Sequence, residues 1–173
     1  MSGQYWGKYR GVVVNNVDPE QRARIQVIVP AVTGEIPSSW ALPCVPVAGI
    51  SEGFFCVPPL TASVWVEYED GDPDKPIWTG GFWSQAAQVP TAANAPPAIP
   101  PGQNIVIQTS LQNSIVISDS APTPASGGII LTSTTGASII VNDSGIYISN
   151  GKGAEITMIG PTITVNQGAL VIT

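Results

Sequence analysis

The side chains with the plainest chemical potential cluster between Glu67 and Asp74, where five carboxylates fall within eight residues. Asp70-x-Asp72-x-Asp74 has the spacing with which an EF-hand calcium loop begins, since alternate positions of a tight loop can turn their oxygens onto one cation. That template also asks for Gly at its sixth position and Glu at its twelfth, where Lys75 and Gly81 stand. The stretch therefore reads as a solvated turn stiffened by Pro73 and Pro76, with no metal bound. Glu67 and Glu69 lie at i and i+2 of one predicted strand, hence on one face, a proximity compatible with two-carboxylate glycoside chemistry. A solvent-facing strand edge has the same pattern, and nothing beside the pair forms a substrate cleft. No catalytic residue is assigned and no enzyme is expected.

The absence of histidine among 173 residues removes the commonest general base and the commonest transition-metal ligand, so triad hydrolases and His-based zinc enzymes are excluded. No cofactor is implied. A net charge of −6 leaves no basic footprint for phosphates, so nucleic acid is a poor partner. Cys44 and Cys56 have no CxxC spacing and are too few for a disulfide scaffold; they are expected to be buried thiols. Trp6, Trp40, Trp65, Trp78 and Trp83 could stack on bases or sugars, but without basic neighbours they read as barrel core and as protein contacts. The opening residues have no apolar run behind Lys8 and Arg10, so no secretory signal is expected, and no run of 18 apolar residues suggests a membrane helix.

Two different compositions are joined in the chain. Residues 1–83 hold 5 of the 6 basic side chains, 9 of the 12 acids and 11 of the 12 aromatics. Short β-runs cut by turn residues fill this part, and no window has the helical period. YRGVVVNNV and RIQVIVP flank an Asp18-Pro19-Glu20 turn. Ile25, Val27 and Val29 alternate with Arg24, Gln26 and Ile28, and Val64, Val66 and Tyr68 alternate with Trp65, Glu67 and Glu69, so each run has one inward face. WALPCVP, FFCV and PIWTGGF supply further strands, and five or six of them predict a small closed barrel. Residues 84–101 contain five prolines and six alanines without a charge, which predicts a semi-rigid extended connector.

Residues 102–173 repeat an apolar-x-apolar unit eight times: Ile105/Ile107, Ile115/Ile117, Ile129/Leu131, Ile139/Val141, Ile146/Ile148, Ile156/Met158, Ile163/Val165 and Leu170/Ile172. Successive starts are 10, 14, 10, 7, 10, 7 and 7 residues apart, and Gly, Ser, Thr, Asn and Asp fill the gaps. Such spacing is a short strand plus a turn, stacked repeatedly. One chain has little to set against the apolar side of such a stack. Three copies around one axis would bring these positions together at the centre, with Ser, Thr, Asn and Asp outward and backbone groups paired between neighbouring chains. Eight strands at roughly 4.8 Å give a needle about 40 Å long.

The run Gly53–Trp83, GFFCVPPLTASVWVEYEDGDPDKPIWTGGFW, together with WALPCVPVAG and YRGVVVNNVDPEQRARIQVIVP, resembles the oligonucleotide/oligosaccharide-binding (OB) barrel of contractile-tail central spikes. The same barrel occurs in gpV-type baseplate proteins and in VgrG proteins of type VI secretion. The family pattern of a Gly-x-Val strand, an Asp-Pro turn and an Arg-Ile-x-Val return strand is met by Gly11–Val13, Asp18-Pro19 and Arg24–Val27. The resemblance implies an all-β chain of three parts. Residues 1–83 would be a hub-docking OB barrel, 84–101 a linker, and 102–173 an intertwined trimeric triple-stranded β-helix.

It implies a homotrimer on a baseplate hub ring, within a virion tail or injection-system particle assembled in the producing bacterium's cytoplasm. On sheath contraction the needle would pierce the target envelope, touching its membrane transiently. The seven units from Ile105/Ile107 to Ile163/Val165 would form the trimer core. Three departures from relatives qualify this expectation. There is no room for an inserted lysozyme-like domain, no hub domain precedes the barrel, and no His-x-His iron site can close the tip. The apolar end at Leu170, Ile172 and Thr173 is therefore expected to carry a separate PAAR-type tip protein. Two other classes fit the composition: an OB-fold glycan-binding module on a β-stalk, and a β-helical polysaccharide depolymerase. The latter is weakened by the wide separation of Asp119, Asp143 and Glu155.

Overall fold

A computed structural model of the chain describes residues 3–94 and 104–172. These fall into two compact units, divided between Ala86 and Ala87, and both are built almost wholly from strands. Among the described residues no helix is long and apolar enough to cross a membrane.

In the first unit β1 (Tyr9–Asn15), β2 (Gln26–Ile28), β3 (Leu42–Pro43), β6 (Ser63–Tyr68) and β7 (Pro76–Gly81) make one sheet in the order β2-β1-β6-β7-β3, with β3 parallel to β7. The two ends of this order meet. Ile25 and Ala41 exchange both backbone hydrogen bonds at 3.2 and 2.8 Å, and the Ser38 amide donates to the Val27 carbonyl at 2.8 Å. The sheet thus closes on itself, which removes the edges a five-stranded sheet would otherwise expose. Alternation along the strands fills the interior: Val13, Ile25, Val27, Val29, Val64, Val66, Tyr68 and Trp78 are buried together. The single turn of helix α1, Pro30–Thr33, follows β2.

Two sequence expectations fail here. The FFCV run is not a strand: chain pairing stops at the small hairpin of β4 (Ala48–Gly49) and β5 (Glu52–Gly53), and Phe54 and Phe55 beyond it are exposed. Pro58 and Pro59, which have no N–H to give a ladder, follow directly. Cys44 and Cys56 are free thiols, and both are exposed rather than buried, because they lie on the irregular segments flanking that hairpin.

The long β1–β2 connection is organised by one carboxylate. Asp18 accepts hydrogen bonds from the backbone amides of Glu20, Arg22 and Arg24 at 2.9, 2.8 and 3.2 Å, and from the Arg24 Nε and Nη2 at 3.0 and 2.6 Å. Arg24 in turn lies over the Trp40 ring. The Arg24 guanidinium holds the Asp18 carboxyl far below the usual carboxylate range, with the three amides adding to its effect. This single side chain substitutes for the ladder that Gln21 and Ala23, both at positive φ, cannot join.

The second unit is an eight-stranded antiparallel meander in strict sequence order: β8 (Ile105–Gln108), β9 (Ser114–Thr123), β10 (Ser126–Thr132), β11 (Ser138–Asn142), β12 (Gly145–Ser149), β13 (Glu155–Ile159), β14 (Thr162–Val165) and β15 (Leu170–Ile172). Backbone pairing therefore runs between consecutive strands of one chain, where the sequence reading placed it between chains. The cause is the turns. Asn142 pairs with Gly145, and Ile159 with Thr162, across two-residue loops, and the turns at the other ends of these strands have only four or five residues, so each strand folds back on the last. The 14-residue step is also a hairpin, lengthened because β9 and β10 run on to pair Thr123 with Ser126. A bulge at Gly127-Gly128 (φ 75° and 76°) re-aims that arm. A Cβ on Gly128 would collide with the Val141 carbonyl. Within the predicted extended connector, Ala86–Gln88 and Thr91–Asn94 form 3-10 turns; residues 95–101 lie outside the described residues.

Asp18→Asn should lower the urea midpoint of the barrel at neutral pH. Because the native carboxyl pKa is depressed, its contribution is present above the unfolded value of about 3.9 and fades as pH falls below it. The gap between wild type and variant should therefore narrow in acid; a gap independent of pH would refute this role. Gly128→Ala should cost the second unit about 1–3 kcal/mol from backbone strain alone, read as a lower thermal midpoint with the barrel transition unchanged.

Candidate functional site

The register of the meander lines up the apolar units into two unbroken rows. Ile105, Ile117, Ile129, Val141, Ile146, Met158, Ile163 and Ile172 are each paired with the next across the sheet. Ile107, Ile115, Leu131, Ile139, Ile148, Ile156, Val165 and Leu170 form the second row in the same way. Directly paired residues, and residues two apart, share a face. All sixteen therefore stand on one side of the sheet, including the fourteen positions expected at a trimer centre and two of the three expected at the tip. Thr173 lies outside the described residues.

This face is open. Twelve of the sixteen side chains are exposed, from Ile105 at 62% through Ile139 at 41% to Ile172 at 54%, and Ile146, Ile148, Met158 and Val165 are half-buried. Burying a fully exposed Ile or Leu stabilises by roughly 1.5–3 kcal/mol. Covering side chains already half shielded adds about 1 kcal/mol each, and twelve of them give a driving force comparable to the ~4–15 kcal/mol entropic cost of association. A patch of this extent is unusual on a monomer and ordinary at an obligate interface.

The opposite face differs from the sequence expectation of Ser, Thr, Asn and Asp. Its central row is Val106, Val116, Ile130, Ile140 and Tyr147, giving way to Thr157 and Thr164. Val116, Ile140 and Tyr147 are buried, and the Tyr147 hydroxyl is bonded to Ser144 Oγ at 2.9 Å. The signal was present in the middle residue of each repeat unit, which is Val, Val, Ile, Ile and Tyr in those strands.

Polar side chains fix the turns that hold this register. Asn142 donates through Nδ2 to the Thr123, Ser126 and Gly127 carbonyls at 2.8, 3.0 and 3.3 Å, and accepts from the Ser144 amide and hydroxyl at 2.9 and 2.7 Å. Asn150 Oδ1 accepts the Lys152 and Ala154 amides, and Asn166 Oδ1 accepts the Glu155 amide. The turn at Thr109–Asn113 is tied to that at Ser133–Ala137 by the Thr134 amide donating to Asn113 Oδ1 and by the Thr134 hydroxyl donating to the Leu111 carbonyl.

On the barrel, the acidic stretch is a turn. Glu69–Gly71 forms a short 3-10 segment, the Asp74 amide donates to Asp72 Oδ1 at 3.0 Å, and Lys75 lies 3.9 Å from Asp72. Glu67 is engaged by Lys8 at 2.8 Å, whose ammonium also reaches Thr79, so the two glutamates do not form a joint site. Among the described residues no group of three acids, cysteines or histidines could hold a metal ion. The tryptophans divide: Trp78 is core, its Nε1 donating to the Ala23 carbonyl, while Trp65 stacks with Phe82 under Arg10 and Trp6 and Trp83 are exposed. Tyr5, Tyr9 and Tyr68 pack edge to face. Burial, with Tyr9 and Tyr5 beside it, pushes the Tyr68 hydroxyl up to about 12.

Two family descriptions cover most of the chain. Residues 9–83 match the type VI secretion system/phage-baseplate injector OB domain, which accords with the closed five-stranded barrel. Residues 104–171 match the phage baseplate V C-terminal trimerisation domain, the segment that carries both apolar rows. No curated protein matches the chain. An injector OB barrel followed in order by a baseplate V trimerisation sheet makes the chain a member of the gpV-like spike family, a structural, trimer-forming component of a phage or type VI secretion baseplate.

Proposed function

We propose that this chain is the central spike of a contractile tail or injection system. Its barrel docks on a separate hub ring, and its C-terminal sheet, closed against two further copies, is the needle that punctures the target envelope when the sheath contracts. The observation that carries the reading is the pair of eight-residue apolar rows left open on a single chain. The fourteen residues from Ile105 to Val165 in those rows are proposed as the trimer centre.

Rigidity supports the mechanical role. Strand-to-strand hydrogen bonds and the two side-chain rows run in the same direction, across the strands. Force applied along that direction is borne by stacked strands whose turns are pinned by Asn142, Asn150 and Asn166. The acid-free rows also leave the needle without internal charge to desolvate. At its end, β15 presents a free edge with Leu170 and Ile172 exposed. We assign this end to a tip protein of PAAR type, with assembly of the particle in the cytoplasm of the producing cell.

Multi-angle light scattering should give a particle of three times 17.9 kDa, stable in mild detergent. Ile139→Asp, which places a carboxylate in the middle of a row, should release monomers and expose dye-binding apolar surface, whereas the same change at exposed Thr135, in a turn, should leave the trimer intact. In images of intact particles the chain should lie on the axis below the tube; a peripheral position would contradict the proposal. Failure of the trimer to bind any PAAR-type protein encoded beside it would remove the tip assignment alone.

A further inference from the structure

A meander has two unlike margins, and this one distributes its few charges between them. The β9–β10 arm and the turns at Asn142–Gly145 and Ile159–Thr162 lie along one margin; the turns at Thr109–Asn113, Ser133–Ala137, Asn150–Ala154 and Asn166–Ala169 lie along the other. Asp119 and Asp143 belong to the first. They line one open hollow of about 370 Å³ with Ser120, Pro122 and Asn142, and neither forms an ion pair within the described residues. Lys152, the only cation after residue 75, belongs to the second margin and is likewise without an ion pair there. Its amide is held by Asn150 Oδ1 at 2.8 Å, which anchors the turn that presents it. Glu155 sits at the same margin, but its place opposite Ser149 puts it on the face away from the two apolar rows.

We infer that the trimer closes by unlike margins, the Asp119/Asp143 margin of each protomer receiving Lys152 of the next. The inference rests on the trimeric reading and deepens it by naming the contact that sets the order of copies around the axis. Two apolar faces alone can meet in more than one arrangement, since the rows are nearly uniform Ile, Leu and Val along their length. A closed ring of three requires a heterologous contact repeated by the symmetry. Like margins brought together would place four carboxylates side by side at one seam and two lysines at another. Unlike margins place one ammonium against two carboxylates at all three seams. The hollow accommodates an ammonium head, and the turns at Asn142–Gly145 and Asn150–Ala154 lie at opposite ends of the same strand, β12, so their heights along the needle differ by about one strand spacing, ~4.8 Å. A lysine side chain spans that offset. Charge thereby selects direction and register, while burial of the rows supplies the affinity.

The test is a charge-swap cycle on the full chain. Lys152→Glu and Asp143→Lys should each lower the trimer association constant about tenfold or more, since three seams carry each change. The combined variant Lys152→Glu/Asp143→Lys should recover most of the loss, and the losses should shrink in high salt. Lys152→Gln, which removes the charge with little change of shape, should show a smaller loss of the same salt dependence. Losses that simply add in the double variant overturn the inference, as does a trimer indifferent to all three changes; in either case the trimeric reading survives. Restoration of the trimer by added calcium in place of Lys152 would assign the hollow to a cation and overturn the seam. A monomeric wild type would overturn both.

Discussion

A sheet with an apolar face needs something to lie against it, and this chain does not carry that layer itself. The constraint shapes the whole second unit. Two rows of eight aliphatic side chains are spaced by turns of two to five residues, so each strand falls beside the last and every row stays in line. Apart from the outer edges of β8 and β15, backbone polarity is satisfied within the chain by the meander, and side-chain burial is what is left to be supplied from outside. Assembly is then a matter of covering surface, with few hydrogen bonds or charges to mispair. The first unit has no such need: its sheet returns to its own first edge through Ile25 and Ala41 and buries Ile25, Val27, Val29, Val64 and Val66 inside itself.

The division explains the composition. A self-closed barrel can place ionic and aromatic groups on its surface, and it uses them locally: Asp18 gathers a ten-residue connection, Lys8 joins β6 and β7 through Glu67 and Thr79, and Arg10 covers Trp65 and Phe82. A sheet that packs on copies of itself repeats each charge at every seam, so charges there are tolerated only where a complementary group comes with them. Three acids and one lysine after residue 102 fit that restriction.

Period-two alternation made the barrel interior and both apolar rows readable before any coordinates, because side-chain direction in a strand depends on parity alone. What parity cannot convey is where pairing stops. Phe54 to Val57 has strand composition, yet the β4–β5 pairing is already over by Phe54, and Pro58 and Pro59 offer no N–H with which to resume a ladder, so the phenylalanines stay outside. Exposure of Cys44 and Cys56 is likewise set by the irregular segments around β4 and β5, which parity does not describe. The apolar back row from Val106 to Tyr147 is carried by the middle residue of each repeat, the position that the apolar-x-apolar spacing leaves unspecified. Asn142 could not have been singled out: its five hydrogen bonds join residues up to 19 apart and depend on the Gly127-Gly128 bulge.

Hydrogen exchange followed over a dilution series tests the dependence of the sheet on its copies most directly. The account predicts that amides of β9 to β13 are slow to exchange in the concentrated assembly and become fast once the chains separate, while those of β1, β2 and β6 keep their protection at every concentration. Equal protection of both units in the isolated subunit would contradict it.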